Sequence, residues 1–93
     1  MVAWVGDDSY DYDEAFSGMN QFMVALQADG VGDRMGEHDG NPSSNPLAEP
    51  FATPVFSNVT YVGQGAAAGK RVVTFRDNAG GEYHNSIFAE QGK

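Results

Sequence analysis

Eight carboxylates crowd two stretches in the first half of the chain. Asp7, Asp8, Asp11 and Asp13 form one, and Asp29, Asp33, Glu37 and Asp39 form the other. Carboxylates are hard oxygen donors, and calcium gathers about six to eight oxygens from carboxylates, carbonyls and water on glycine-flexed loops. On an extended chain Asp11 and Asp13 point to one side, and so do Glu37 and Asp39. Neither stretch follows the twelve-residue calcium loop or the glycine-rich nonapeptide repeat. All eight residues are candidate metal ligands with calcium as the expected cofactor, set against the plainer reading of a solvated acidic face.

Other residues invite chemical readings that their spacing supports less well. His38 sits between Glu37 and Asp39, and His84 follows Glu82-Tyr83. Two histidines with carboxylates could bind zinc, but these lie far apart in sequence and make no local ligand motif. Gly63-Gln64-Gly65-Ala66-Ala67-Ala68-Gly69-Lys70 resembles a phosphate loop only superficially. The glycines have the wrong spacing, and Arg71 stands where a serine or threonine should hold magnesium. A flexible turn is expected there. Asn58-Val59-Thr60 matches the N-glycosylation acceptor, which matters only in a glycosylating pathway. Trp4, Tyr10, Tyr12, Tyr61 and Tyr83 could stack against sugars, or fill a thin core or an interface.

Charge narrows the partners. The 93 residues carry 13 acidic and 5 basic side chains, a formal net charge of −8. The whole imbalance falls in residues 1–46, where Arg34 is the sole base. Such a surface repels phosphate backbones and anionic lipid, so nucleic-acid binding is disfavoured. With 41 % hydrophobic and 12 % aromatic residues the chain is too apolar for a disordered tail. Phe22-Met23-Val24-Ala25-Leu26 is too short an apolar run to span a bilayer, which excludes membrane insertion as a helix. Met1 to Val5 is too short for a signal-peptide core. There is no cysteine, hence no disulfide and no thiolate metal site.

The elements that must hold these residues read as strands in one small domain, residues 1–93. Residues 1–5, Val55-Phe56, Val59-Thr60-Tyr61-Val62, Arg71-Val72-Val73-Thr74-Phe75 and Ser86-Ile87-Phe88 are short, β-branched or aromatic, and bounded by turn formers. Residues 29–50 read as a long polar loop holding four glycines and the segment Asn41-Pro42-Ser43-Ser44-Asn45-Pro46. Residues 13–27 are ambiguous. Asp13 could cap a helix with Phe16, Met19, Met23 and Leu26 on one face, or a turn near 13–18 could precede a strand at 21–27. Gly18 costs a helix about 1 kcal/mol, which favours the strand. The expected core is Val2, Trp4, Phe22, Val24, Leu26, Val55, Val59, Tyr61, Val72, Thr74, Ile87 and Phe88.

A weak repeat points to the architecture. Residues 57–65 align on residues 84–92, so that Asn58 meets Asn85, Tyr61 meets Phe88 and Gln64 meets Gln91. The offset is the length of about one coil of a parallel β-helix, and an asparagine recurring before a strand fits an amide ladder between coils.

The wording of the chain adds to this. Gly6-Asp7-Asp8-Ser9-Tyr10-Asp11-Tyr12-Asp13-Glu14 with Gln21-Phe22, then Gly32-Asp33-Arg34 with Glu37-His38-Asp39-Gly40, resembles a stretch of large secreted bacterial proteins. Thr74-Phe75-Arg76-Asp77-Asn78-Ala79-Gly80-Gly81-Glu82-Tyr83-His84-Asn85-Ser86-Ile87-Phe88 belongs to the same stretch. The resemblance implies an all-β, right-handed parallel β-helix-like short solenoid, with relatives that are secreted or at the cell surface. It names no activity and carries over no catalytic residue. Those relatives have further coils on both sides. The chain is therefore expected to be a cassette product or a fragment whose open ends pair with another copy, a homo-oligomer.

Two functions follow as expectations. The first is a non-enzymatic structural or binding module, self-associating through its ends and stabilised by calcium. The second is a carbohydrate-active β-helix of the polysaccharide-lyase type, or a carbohydrate-binding module. By fold-level analogy, Lys70, Arg71 or Arg76 would then abstract a proton with Asp77 nearby.

Overall fold

The computed structural model describes residues 1–68 and 70–92, and Gly69 of the glycine-rich turn lies outside them. Ten short strands follow one another: β1 Val2–Ala3, β2 Tyr10–Tyr12, β3 Met19–Gln21, β4 Val24–Leu26, β5 Gly36–Asp39, β6 Val55–Ser57, β7 Thr60–Val62, β8 Val73–Arg76, β9 Glu82–His84 and β10 Ile87–Ala89. They assort into three sheets, β1-β4-β7-β10, β2-β5-β8 and β3-β6-β9, and every pairing is parallel. Each coil contributes one strand to each sheet, and β10 opens a fourth coil. This is a short parallel β-helix, the expected solenoid.

Parallel register stacks like positions into columns. Val2, Ala25, Tyr61 and Phe88 form one inward column and Tyr12, His38 and Phe75 a second. Asn20, Phe56 and Tyr83 form the third. Coils turn where a residue adopts the left-handed conformation, and at the corner before the first sheet these are Phe22, Asn58 and Asn85. Asparagine tolerates that conformation better than most residues. The Asn85 Nδ2 donates to Asn58 Oδ1 across the 27-residue offset, so the expected amide ladder is present and the repeat is a coil.

Three expectations need correction. The stretch at 21–27 is neither helix nor a single strand. Phe22, at φ 59°, separates β3 from β4, which lie in different sheets and coils. That shift also changes which side chains enter the core: Ala25 is buried, while Val24 and Leu26 flank it on the outer side. The 29–50 segment is divided by β5, whose neighbour Met35 is fully buried, leaving residues 40–54 as the polar excursion. The core consists of Tyr12, Ala25, Met35, Ala52, Phe56, Val59 and Tyr61, so only Val59 and Tyr61 of the expected set are fully buried. Trp4 and Phe22 are 70 % and 73 % exposed at coil corners. Phe75 and Phe88 point into their columns, yet stay 45 % and 43 % exposed because no described coil covers them.

Candidate functional site

The chemistry gathers on the outer side of the sheet β2-β5-β8. Along this sheet Tyr10, Tyr12 and His38 turn inward, which sends the alternate residues outward. The register sets Asp11 beside Glu37 and Thr74, and Asp39 beside Arg76. Two turns close the lower rim. Asp33 N–H donates to the Asp7 carbonyl at 3.3 Å, and Ser9 N–H donates to the Arg34 carbonyl at 3.0 Å. These bonds draw Asp7, Asp8 and Asp33 together, with one carboxylate oxygen from each within 4.8 Å of the others.

Arg34 is the hub. Its Nη1 lies 2.7 Å from Asp33, 3.0 Å from Glu37 and 3.7 Å from Asp8, while its backbone N–H donates to Asp8 Oδ1 at 2.6 Å. Its Nε donates to Thr74 Oγ1 at 3.0 Å. On the coil above, Arg76 reaches Glu37 at 2.9 Å, and its Nε donates to Asp39 Oδ1 at 2.6 Å. Lys70 completes the set at 3.2 Å from Asp33. Burial raises Glu37, as do the hydrogen bond and charge of Asp8, to about 7 against the pull of Arg34 and Arg76. Asp11 is also raised, by burial first and then by Asp13, Asp39 and Asp8. Asp39, through its hydrogen bond and charge, holds the Arg76 proton more firmly than usual. The result is a ladder of alternating charge that bridges all three coils.

The eight candidate ligands thus divide. Asp7, Asp8 and Asp33 converge. Glu37 and Asp39 stand one coil above Asp11 and Asp13 on the same face, already engaged by the two arginines. Asp29 lies apart, beside the Gly30 turn that is tied to Gln64. The donor set at Asp7, Asp8 and Asp33 is all oxygen, as calcium requires, but Arg34 and Lys70 share two of its carboxylates.

The histidines are not brought together. His38 is 1 % exposed within the ring column, while His84 lies outside and pairs with Glu82 at 2.6 Å. Burial lowers the His38 pKa, and its Nε2 is 2.6 Å from the Tyr83 hydroxyl. Tyr10, Tyr12, Tyr61 and Tyr83 occupy the interior stack, which leaves Trp4 as the exposed member of the sugar-stacking set. Of the residues considered as proton abstractors, Lys70 and Arg76 are held in ion pairs and Arg71 is exposed, while Asp77, expected near them, accepts from Ser43 Oγ at 2.9 Å. The central part of Arg34 was not anticipated from sequence. Its one signal was being the single base among the acids of the first half.

No helix among the described residues is long and apolar enough to cross a membrane. Comparison with curated proteins found no match, and comparison with solved structures found none either. The family model described as a pectate-lyase like beta helix domain matches residues 1–93. With its three parallel sheets, stacked columns and full-length match, the chain belongs to the pectate-lyase-like β-helix domain family.

Proposed function

We propose that this chain is a structural and binding module rather than a catalyst, associating through the uncovered ends of its β-helix. The observation that carries the reading is the pair Phe75 and Phe88. Both belong to inward columns and both remain nearly half exposed, on β8 and β10, whose outer edges pair with no other strand among the described residues. Apolar rings beside unpaired backbone groups are a template for another chain's strands. Sedimentation velocity over rising concentration tests this. Species that keep growing in size, and that Phe88→Ser reduces to monomer, support the reading. A size distribution indifferent to Phe88→Ser contradicts it.

Calcium is part of the same proposal. The convergent oxygens of Asp7, Asp8 and Asp33 would hold the ion, exchanging ion pairs with Arg34 and Lys70 for metal bonds. Thermal unfolding with a chelator and then with calcium reports it. A site held at about 100 times its dissociation constant adds roughly 2.7 kcal/mol. In a domain of this size that raises Tm by about 10–20 °C. No shift leaves the carboxylates as a solvated, arginine-bridged face.

Family membership favours a second reading, action on or binding to an acidic polysaccharide. An eliminating base would have to take a sugar-ring proton as the glycosidic oxygen leaves. Arg76 and Lys70 are poorly prepared for that while their charges are paired with Glu37, Asp39 and Asp33. Binding without cleavage is the form of this reading that the ion-pair geometry suits better.

A further inference from the structure

The two ends of the β-helix are unlike. At the lower end stand the edge strands β1, β2 and β3 of the first coil, and at the upper end β10, β8 and β9. The first coil, residues 1–21, carries Asp7, Asp8, Asp11, Asp13 and Glu14 and no base. The third coil, residues 60–84, carries Lys70, Arg71 and Arg76 against Asp77 and Glu82. The interiors differ too. Phe75 and Phe88 stand nearly half exposed at the upper end. In the first coil the third column holds only Asn20, beside a recess of about 110 Å³ lined by Tyr12, Phe16, Met23, His38 and Phe56.

We propose, resting on the association through the ends put forward above, that copies add head to tail. The first coil of one copy seats on the third coil of the copy below, and β10 of the lower copy displaces β1 of the upper. Register and charge favour that sense. Continuing the register of β5 on β8 sets the upper copy's Asp11, Tyr12 and Asp13 over Thr74, Phe75 and Arg76. A ring then covers Phe75, and a carboxylate without an ion pair among the described residues meets Arg76. The same step places the upper copy's Met19 and Gln21 over Glu82 and His84, a contact free of like charge. Two first coils face to face would instead oppose acid to acid, and two third coils base to base. Net repulsion between chains of charge −8 is screened beyond about 8 Å at physiological salt, while charges at rims in contact are not.

The first sheet forces the exchange. It has four strands where the others have three, so β10 already fills the level that the upper copy's β1 would bring. Val24, Thr60 and Ile87 share one position of the register, so β10 is aligned to take the place of β1 beneath β4. Phe88 then lies beneath Ala25, large against small. The displaced β1 is the weaker competitor, held by two residue pairs and a 2.9 Å bond from the Trp4 N–H to the Leu26 carbonyl. A three-residue strand bearing Phe88 replaces a two-residue strand bearing Val2. Such strand exchange between identical chains needs no new fold, and a head-to-tail contact that does not close on itself grows into an open filament.

Sedimentation velocity over rising concentration is run on the wild type, Asp13→Lys, Trp4→Pro and Phe88→Ser. Hydrogen exchange on the wild type, before and after assembly, keeps the test sound should a variant unfold. Trp4→Pro removes the N–H that holds β1 and cannot keep the φ of 57°. Trp4 and Asp13 are exposed, so both variants should keep the core, which circular dichroism verifies. The wild type is expected to grow without a fixed stoichiometry. Asp13→Lys should need at least about tenfold more protein to grow. Trp4→Pro should need about fivefold less, the worth of one backbone hydrogen bond. On assembly, residues 2–4 lose exchange protection and residues 87–89 gain it. Growth abolished by Phe88→Ser but untouched by Asp13→Lys, or a wild type that stops at a dimer, keeps the end association and overturns its head-to-tail sense. Protection kept or gained at residues 2–4, or growth that Trp4→Pro leaves unchanged or weakens, overturns the displacement of β1. A size distribution indifferent to Phe88→Ser defeats the end association itself and this inference with it.

Discussion

The imidazole of His38 lies against the Tyr12 ring, with centroids 4.3 Å apart and planes 14° from parallel. Phe56 stacks on its other neighbour side at 5.5 Å, Phe75 meets it edge-on at 5.0 Å, and Tyr83 takes its Nε2. A residue flanked by Glu37 and Asp39 in sequence is thus a member of the aromatic core. Removing that ring with His38→Ala should cost about 2–4 kcal/mol, because the close-packed column can collapse only in part. Urea unfolding measures the loss.

The same ring gives acid sensitivity of a definite sign. Burial lowers the His38 pKa below the ordinary 6.5, so the unfolded chain takes up this proton more readily than the folded one. The stability owed to neutral His38 is complete above 6.5 and declines as the pH falls below it. The pH dependence of the urea midpoint for wild type, minus that for His38→Phe, should show this decline. Parallel curves would contradict it.

Glu37 titrates with the opposite consequence. Its pKa rises from 4.5 to about 7 on folding, so the folded chain holds this proton over that interval. Stability from protonated Glu37 is complete below 4.5 and is lost as the pH climbs through about 7. Glu37→Gln should remove that descending component from the Tm profile while loosening Arg34 and Arg76. An unchanged slope in the variant would mean that Glu37 ionises freely beside its arginines.

Glycine placement supplies a paired test. A Cβ at Gly40 would fall onto the Asp77 carbonyl and the Ala79 backbone, where the coil above passes closest. Backbone atoms cannot swing aside, so Gly40→Ala should cost about 1–3 kcal/mol. Gly6 has nothing within 4 Å of that position and no left-handed φ, so Gly6→Ala should be nearly neutral or slightly stabilising. Chemical denaturation of the two variants compares them directly.

How much of this was legible depends on which residues repeat. The coil Asn58–Val62 over Asn85–Ala89 could be read because corner chemistry and strand register recur with the same spacing. The earlier coil hid itself. Its corner residue is Phe22 instead of asparagine, and the long excursion after β5 breaks the period. A phenylalanine in the left-handed region leaves no compositional mark, so the split between β3 and β4 was invisible and the inward parity was read one residue out. The acidic face was legible as composition. Its arrangement was not, because Asp7, Asp8, Asp33 and Arg34 meet only through bonds between two turns of different coils. The burial of His38 was hidden for the same reason: sequence shows its charged neighbours, and only the pleat turns it away from them.

The most direct test of a binding module that does not catalyse is product release from an acidic polysaccharide. Purified chain is incubated with polygalacturonate in calcium, and the ultraviolet absorbance of new unsaturated chain ends is followed alongside a polymer-binding assay. The account predicts no absorbance gain above the protein-free control, whether or not polymer is retained. Steady release that scales with protein and disappears in Arg76→Ala would contradict it and establish a lyase.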